Sequence, residues 1–208
     1  MKGAPGAGGT AMRGEFETIA RHFAPLAAGE PGALGLVDDA AVITPPGGRQ
    51  LVLTVDAMVA GVHFLESDPA GQVAQKQMRV NLSDLAAMGA EPLGYLLTCT
   101  WPRDVRESWV ADFAAGLGED QRRFGISVLG GDMTSTPGPL TLSLTALGHV
   151  APGQALRRST AREGDLVYLS GTLGDGALGL LALTDRLPGL EAEHAAFLAE
   201  RYRRASPR

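Results

Sequence analysis

The 208-residue chain is 45% hydrophobic with a net charge of −5, enough apolar content to bury a core in one large or two small domains. The negative charge excludes nucleic-acid binding through a general basic field. Cys99 is the only cysteine, which excludes an internal disulfide and fits a reducing, cytoplasmic setting.

Residues 1–13 are mostly Gly, Ala and Pro and are predicted to form a flexible tail. They lack the charged stretch and apolar run of a secretory signal. Glu15 to Phe23 follows as a helix with Phe16, Ile19, Ala20 and Phe23 on one face, and residues 25–33 read as a Pro/Gly loop. Leu34 to Thr44 reads as a strand interrupted by Asp38 and Asp39. In a regular strand these two carboxylates face opposite sides. A Pro/Gly turn leads to a second strand, Gln50 to Val59, interrupted by Asp56.

Asp68 and Pro69 read as the N-cap and first position of a long helix whose apolar residues recur at Val73/Ala74, Met78, Leu82, Leu85 and Met88. Gly89 and Pro92 stop it. Gln77, Asn81 and Asp84 form a polar stripe along the same helix. Leu93 to Trp101 is the next strand. Asp104 is predicted to cap a helix from about Val105 to Phe124, with Glu107 completing a capping box and Trp109, Phe113, Leu117 and Phe124 buried. A short strand, Ile126 to Leu129, enters Gly130-Gly131-Asp132. The last strand of this unit, Leu140 to Val150, alternates leucine with threonine and serine.

Pro152 and Gly153 mark a boundary, dividing the chain into a tail (1–13), an N-terminal domain (14–150) and the beginning of a second domain (151–208). The second unit reads as one strand, Asp165 to Ser170, a Gly171–Gly176 loop and two helices ending near Arg186 and Arg204. A lone strand has no partner, so this unit is expected to pack on the first domain or, the favoured reading, to be completed by further chain. Leu166 to Leu183 carries Asp175 and several glycines and does not read as a membrane span.

Asp39, Asp56, Asp84 and Asp132 each lie beside an apolar run. Short oxygen ligands without clustered histidines point to Mg²⁺ and not zinc. Taken singly, each is more often a turn or cap aspartate. There is no G-x-x-x-x-G-K-[ST], and neither Lys2 nor Lys76 sits in a glycine-rich loop, so bound ATP would need metal ions and arginine at its phosphates. The Gly171–Gly176 loop is a weak phosphate signal, and Asp175 opposes an anion there. His63 follows Asp56 closely; from composition alone a partly buried polar residue at a strand end is an equal reading.

GEFETIARHF at 14–23, LVDDAAVI, LTVDAMVAGVHF, NLSDLAAMGAEP, LGGD, and ALRRSTAREGD followed by LSGTLGDGALG together resemble the thiamine-monophosphate kinase family. That family belongs to the aminoimidazole-ribonucleotide-synthetase-like ATP-binding proteins. The resemblance implies an α/β fold of the α+β kind: an N-terminal mixed sheet with flanking helices, paired with a second subunit into a barrel, then a C-terminal α/β domain. It implies direct phosphorylation of thiamine phosphate by ATP with several Mg²⁺ ions. Carried over by position, Asp39, Thr54, Asp56, Asp84 and Asp132 match metal positions. Gly131, Asp132 and Arg158 match ATP contacts, and His63 matches a thiamine phosphate contact. No catalytic side chain is implied beyond these, and the expected partners are ATP, thiamine phosphate and a second copy of the chain, with no nucleic acid and no membrane. Val37 stands where the family has Gly, and Val55 where it has Thr or Ser, so only a backbone carbonyl remains there for a metal. The family's C-terminal third has no counterpart here. The alternatives are another ATP-using member of the group, of the hydrogenase-maturation or selenophosphate type, and an inactive truncated dimerisation module.

Overall fold

The computed structural model describes residues 14–38 and 40–207. The predicted flexible tail, 1–13, lies outside them. Alternating side chains build the central sheet. β1, Gln50–Val59, turns Leu51, Leu53 and Val55 outward and Val52, Thr54, Asp56 and Met58 inward. α2, Ala70–Ala87, follows and closes at Gly89, whose φ of +69° only glycine adopts readily. Then come β2 (Glu91–Pro102), α3 (Glu107–Phe124), β3 (Ser127–Thr136) and β4 (Thr141–Val150). The strand order is β1-β4-β2-β3. β4 pairs antiparallel with both β1 and β2, whereas β2 and β3 run parallel, the pairing that a helical crossover such as α3 permits.

α2 and α3 cover one face of this sheet. They touch at Gly71 and Gly116, where a Cβ on Gly116 would overlap the Gly71 backbone. Trp101 meets Trp109 and Phe113 edge-on at 5.9 and 6.0 Å between ring centres, filling the space between β2 and α3. Arg79 forks onto Asp120 at 2.7 and 2.8 Å, a buried pair joining the two helices. The opposite face keeps Leu51, Leu53, Val55 and Leu96 exposed.

Several local expectations give way. The described residues of 34–44 form no strand. Leu34, Gly35 and Leu36 all take positive φ at the end of a 3-10 turn, Pro31–Leu36, and the chain folds back so that Val42 N–H donates to the Gly32 carbonyl at 2.8 Å. The first helix, α1 (Glu15–Thr18), widens into a π turn at Ile19–Phe23. The wider turn rotates the face, so Phe23 is buried while Phe16 is exposed. Neither predicted N-cap forms: no side chain caps α2 or α3. Asp68 instead accepts from Leu65 N–H and Arg203, and α3 starts at Glu107 after an extended Arg106. Trp109 and Phe124 are only half-buried, and Val110 and Ala114 take the inner positions with Phe113 and Leu117. β3 continues through Gly130-Gly131-Asp132, because Gly131 lets β3 approach β2 where a Cβ would overlap the Leu97 carbonyl.

Residues 165–170 form no strand. Leu166, Val167, Tyr168 and Leu169 are 60–99% exposed, and no neighbouring strand among the described residues offers them hydrogen bonds. α4 (Asp175–Leu183) and α5 (Ala192–Arg203) form a pair in which Gly179 lies against the Leu198 carbonyl. α5 and the residues after it dock on α2. Arg204 Nη1 donates to Gln75 Oε1 at 3.3 Å, and Arg79 Nη1 donates to the Ala205 carbonyl at 3.3 Å.

Candidate functional site

Strand alternation and helix packing bring three of the expected residues together. Thr54 and Asp56 occupy inward positions two apart on β1, and α2 lies across them. Thr54 Oγ1 donates to Asp84 Oδ2 at 2.8 Å. The Asp56 carboxyl is held above its usual range, first by burial and then by the negative charge of Asp84, while His63 pulls it down. Two carboxylates near enough to repel are therefore retained beside one hydroxyl. The backbone here is held from below: Gln77 Nε2 donates to the Asp56 carbonyl at 2.8 Å, and Asn81 Nδ2 donates to the Gln77 carbonyl at 2.9 Å. Both amide oxygens, Gln77 Oε1 and Asn81 Oδ1, are buried without a partner among the described residues.

His63 stands beside this pair. Its Nδ1 accepts from Val59 N–H at 3.1 Å, so in the neutral ring Nε2 carries the proton and is the donor. Lys76 Nζ donates to the His63 carbonyl at 2.7 Å and lies 3.7 Å from the Tyr202 ring centre. The lysine that carries no phosphate-loop signature in the sequence is thus near His63 but already engaged.

The remaining candidates stand apart. Ala57 pairs with Ser143, Ser143 with Thr98, and Thr98 with Asp132. Three strand spacings separate the ends of that row, roughly 14 Å, so Asp132 on edge strand β3 does not join Asp56. Asp132 and Gly131 are exposed. Arg158 opens a short exposed 3-10 turn, Arg158–Thr160. Asp39 lies outside the described residues. No group of three or more His, Cys, Asp or Glu poised for a metal occurs among the described residues. Asp175 occupies the N-terminus of α4 itself: it accepts from Thr172 Oγ1 and from Arg201 Nε, and these contacts, the threonine first, hold its carboxyl below the usual range. Asp175 thus places a negative charge at the Gly171–Gly176 loop, held by Thr172 and Arg201. Cys99 is buried, and burial followed by the charge of Asp132 pushes its thiol far up, as suits a packing residue.

Sequence reasoning identified Gln77 and Asn81 as a polar stripe but not the grip of Gln77 on β1. It missed Lys76, which α2 brings to the His63 carbonyl, and Tyr202 and Arg203, whose contacts depend on where α5 docks.

The chain matches the family described as AIR synthase related protein, N-terminal domain, over residues 37–150. It is 48% identical over 194 residues to the thiamine-monophosphate kinase of Caulobacter vibrioides, covering 93% of this chain and 54% of that relative. The crystal structure of thiamine-monophosphate kinase from Stenotrophomonas maltophilia superposes with a TM-score of 0.79 at 39% identity, over 97% of this chain and 64% of that one. AaThiL complexed with AMPPCP and TMP superposes with a TM-score of 0.71 at 32% identity, over 82% of this chain and 53% of that one. The hydrogenase maturation protein HypE in complex with ATP, at 22% identity and a TM-score of 0.71, shares the fold. The chain spans little more than half the length of the Caulobacter vibrioides relative. No helix among the described residues is long and apolar enough to cross a membrane.

Proposed function

The chain belongs to the AIR synthase related family, and on that premise we propose that it forms part of a thiamine-phosphate kinase, passing the terminal phosphoryl group of ATP to thiamine phosphate to yield thiamine diphosphate. The observation that carries this reading is the convergence of Asp56 and Asp84 beside the Thr54 hydroxyl, in a chain so similar to thiamine-monophosphate kinases.

An all-oxygen donor set with two mutually repelling carboxylates fits a hard divalent cation. Thr54, Asp56 and Asp84 would hold Mg²⁺, with Asp39 as a further ligand; Asp132, on the far edge strand, would serve a separate ion. Bound there, Mg²⁺ supplies neutralisation of the ATP phosphates. Gly131 and Asp132 meet the nucleotide, and Arg158 offers its phosphates a planar fork of donors. His63 presents its Nε2–H to the phosphate of thiamine phosphate. Lys76, held by the His63 carbonyl and Tyr202, leaves the cationic role to arginine. A thiamine phosphate oxygen attacks the terminal phosphorus of ATP in line. The bond from that phosphorus to the bridging oxygen breaks, and ADP leaves with the oxygen; no side chain becomes phosphorylated.

A second copy of the chain covers the apolar outer sheet face and the open edges of β1 and β3 in this reading, as a homodimer. An enzyme that consumes ATP is placed in the cytoplasm. The test is a calorimetric titration of the chain with AMPPCP, with and without Mg²⁺. Binding that depends on Mg²⁺ is expected; binding indifferent to Mg²⁺, or none in its presence, counts against the reading.

A further inference from the structure

The turn between β1 and α2, residues 60–69, carries His63. Its own backbone partly closes it: Gly61 N–H donates to the Phe64 carbonyl at 2.8 Å, and His63 N–H to the Val59 carbonyl at 2.9 Å. Two side chains fix it, Lys76 from α2 and Asp68 from the turn's own end. Lys76 Nζ donates to the His63 carbonyl at 2.7 Å, and Asp68 Oδ2 accepts from Leu65 N–H at 2.9 Å. Each of these is gripped in turn by consecutive residues of α5. The Tyr202 ring lies under the Lys76 ammonium at 3.7 Å, and Arg203 Nε donates to Asp68 Oδ1 at 2.7 Å. Asp68 is buried, and Arg203, in direct contact, balances its charge together with nearby Lys76. Burial lowers the Lys76 pKa while the charge of Asp68 raises it, as expected of an ammonium enclosed by its partners.

Phosphoryl transfer as derived above uses none of Lys76, Asp68, Tyr202 or Arg203. We propose that they form a clamp: α5 holds Lys76 and Asp68, these hold the 60–69 turn, and Lys76 is thereby a positioning residue for His63. An ammonium is suited to the task because it can donate to a carbonyl on one side while facing a ring on the other. The clamp stands on the distances alone. Its consequence for thiamine phosphate rests on the kinase reading, in which His63 contacts that substrate. The pose of a residue early in the chain is then set by a helix near its end.

Hydrogen exchange of the 208-residue chain tests this, comparing wild type, Lys76→Met and the Tyr202→Leu/Arg203→Met pair. Methionine keeps the reach of lysine without its charge or donors. Amides in 61–68 should exchange about tenfold faster in both variants, the scale of one lost charge-assisted hydrogen bond. Amides of β4 should exchange as in wild type. Thiamine phosphate affinity, read by calorimetry, should fall by a similar factor in Lys76→Met and recover in Lys76→Arg. Unchanged exchange across 61–68 overturns the clamp, as does an equal rise in β4, which would mean general destabilisation. Faster exchange of the turn with unchanged thiamine phosphate affinity overturns the positioning role. A wild-type chain that binds no thiamine phosphate refutes the kinase reading instead, and the exchange comparison still decides the clamp.

Discussion

Asp84→Asn separates a metal role from a packing role. The amide keeps the size of the side chain and an oxygen that can still accept from Thr54 Oγ1, the 2.8 Å contact made by Asp84. Asp84 is exposed, so the stability cost should stay under about 1 kcal/mol, a fall in Tm of roughly 2–4 °C for a chain of this size. The effect on a cation is larger. Two unit charges about 4 Å apart are worth about 1 kcal/mol in water, so a divalent ion and a carboxylate gain about 2 kcal/mol even at the dielectric constant of water. Losing that weakens metal binding roughly thirtyfold. The assay is calorimetric titration of Mg²⁺ and AMPPCP into both chains, with thermal melting measured alongside. Affinity within twofold of wild type would refute the reasoning. So would a Tm drop of more than about 10 °C, because the side chain would then be structural.

The Asp56 carboxyl, raised by burial and then by Asp84, binds its proton in the folded chain before the unfolded value of 3.8 is reached. As pH falls through the raised folded pKa toward 3.8 this group should add stability, while Mg²⁺ affinity falls over the same window; carboxyl NMR titration reads the pKa, and Asp84→Asn should lower it. Arg79→Met should cost about 3–5 kcal/mol in chemical denaturation by leaving Asp120 charged and buried, and Arg79→Met/Asp120→Leu should recover most of it. Sedimentation should find a dimer at micromolar concentration, and Leu53→Lys, on the exposed sheet face, should give monomer; monomer from the wild type refutes the dimer. In the kinase reaction a chiral terminal phosphate should be transferred with inversion, and net retention would demand a phosphoenzyme.

The sheet was legible where side chains alternate or helical period is long. β1 starts and stops where its apolar alternation does, and α2, α3 and β4 follow their patterns closely. Leu34 to Thr44 misled because three successive left-handed residues interrupt an apolar run, and nothing in the residue types of Leu34 and Leu36 signals that geometry. Asp68 and Asp104 looked like caps because capping is local, yet Asp68 is claimed by Arg203 from far along the chain. The resemblance gave Thr54 and Asp84 as metal positions, and strand alternation together with the packing of α2 explains their contact. The separation of Asp132 was not legible, since it depends on strand order. Sequence neighbours cannot reveal that β4 and β2 intervene between β1 and β3.

Cys99 has a practical consequence. It is the sole thiol, lies sealed inside β2, and is far from ionised there. An alkylating reagent can reach it only when the sheet opens, and each opening exposes one countable sulfur. The rate of mass gain under iodoacetamide therefore reports the population of the open sheet where reclosing outpaces alkylation, and the opening rate where alkylation is faster, without an introduced label. It offers a clock against which metal, nucleotide and substituted side chains can each be timed.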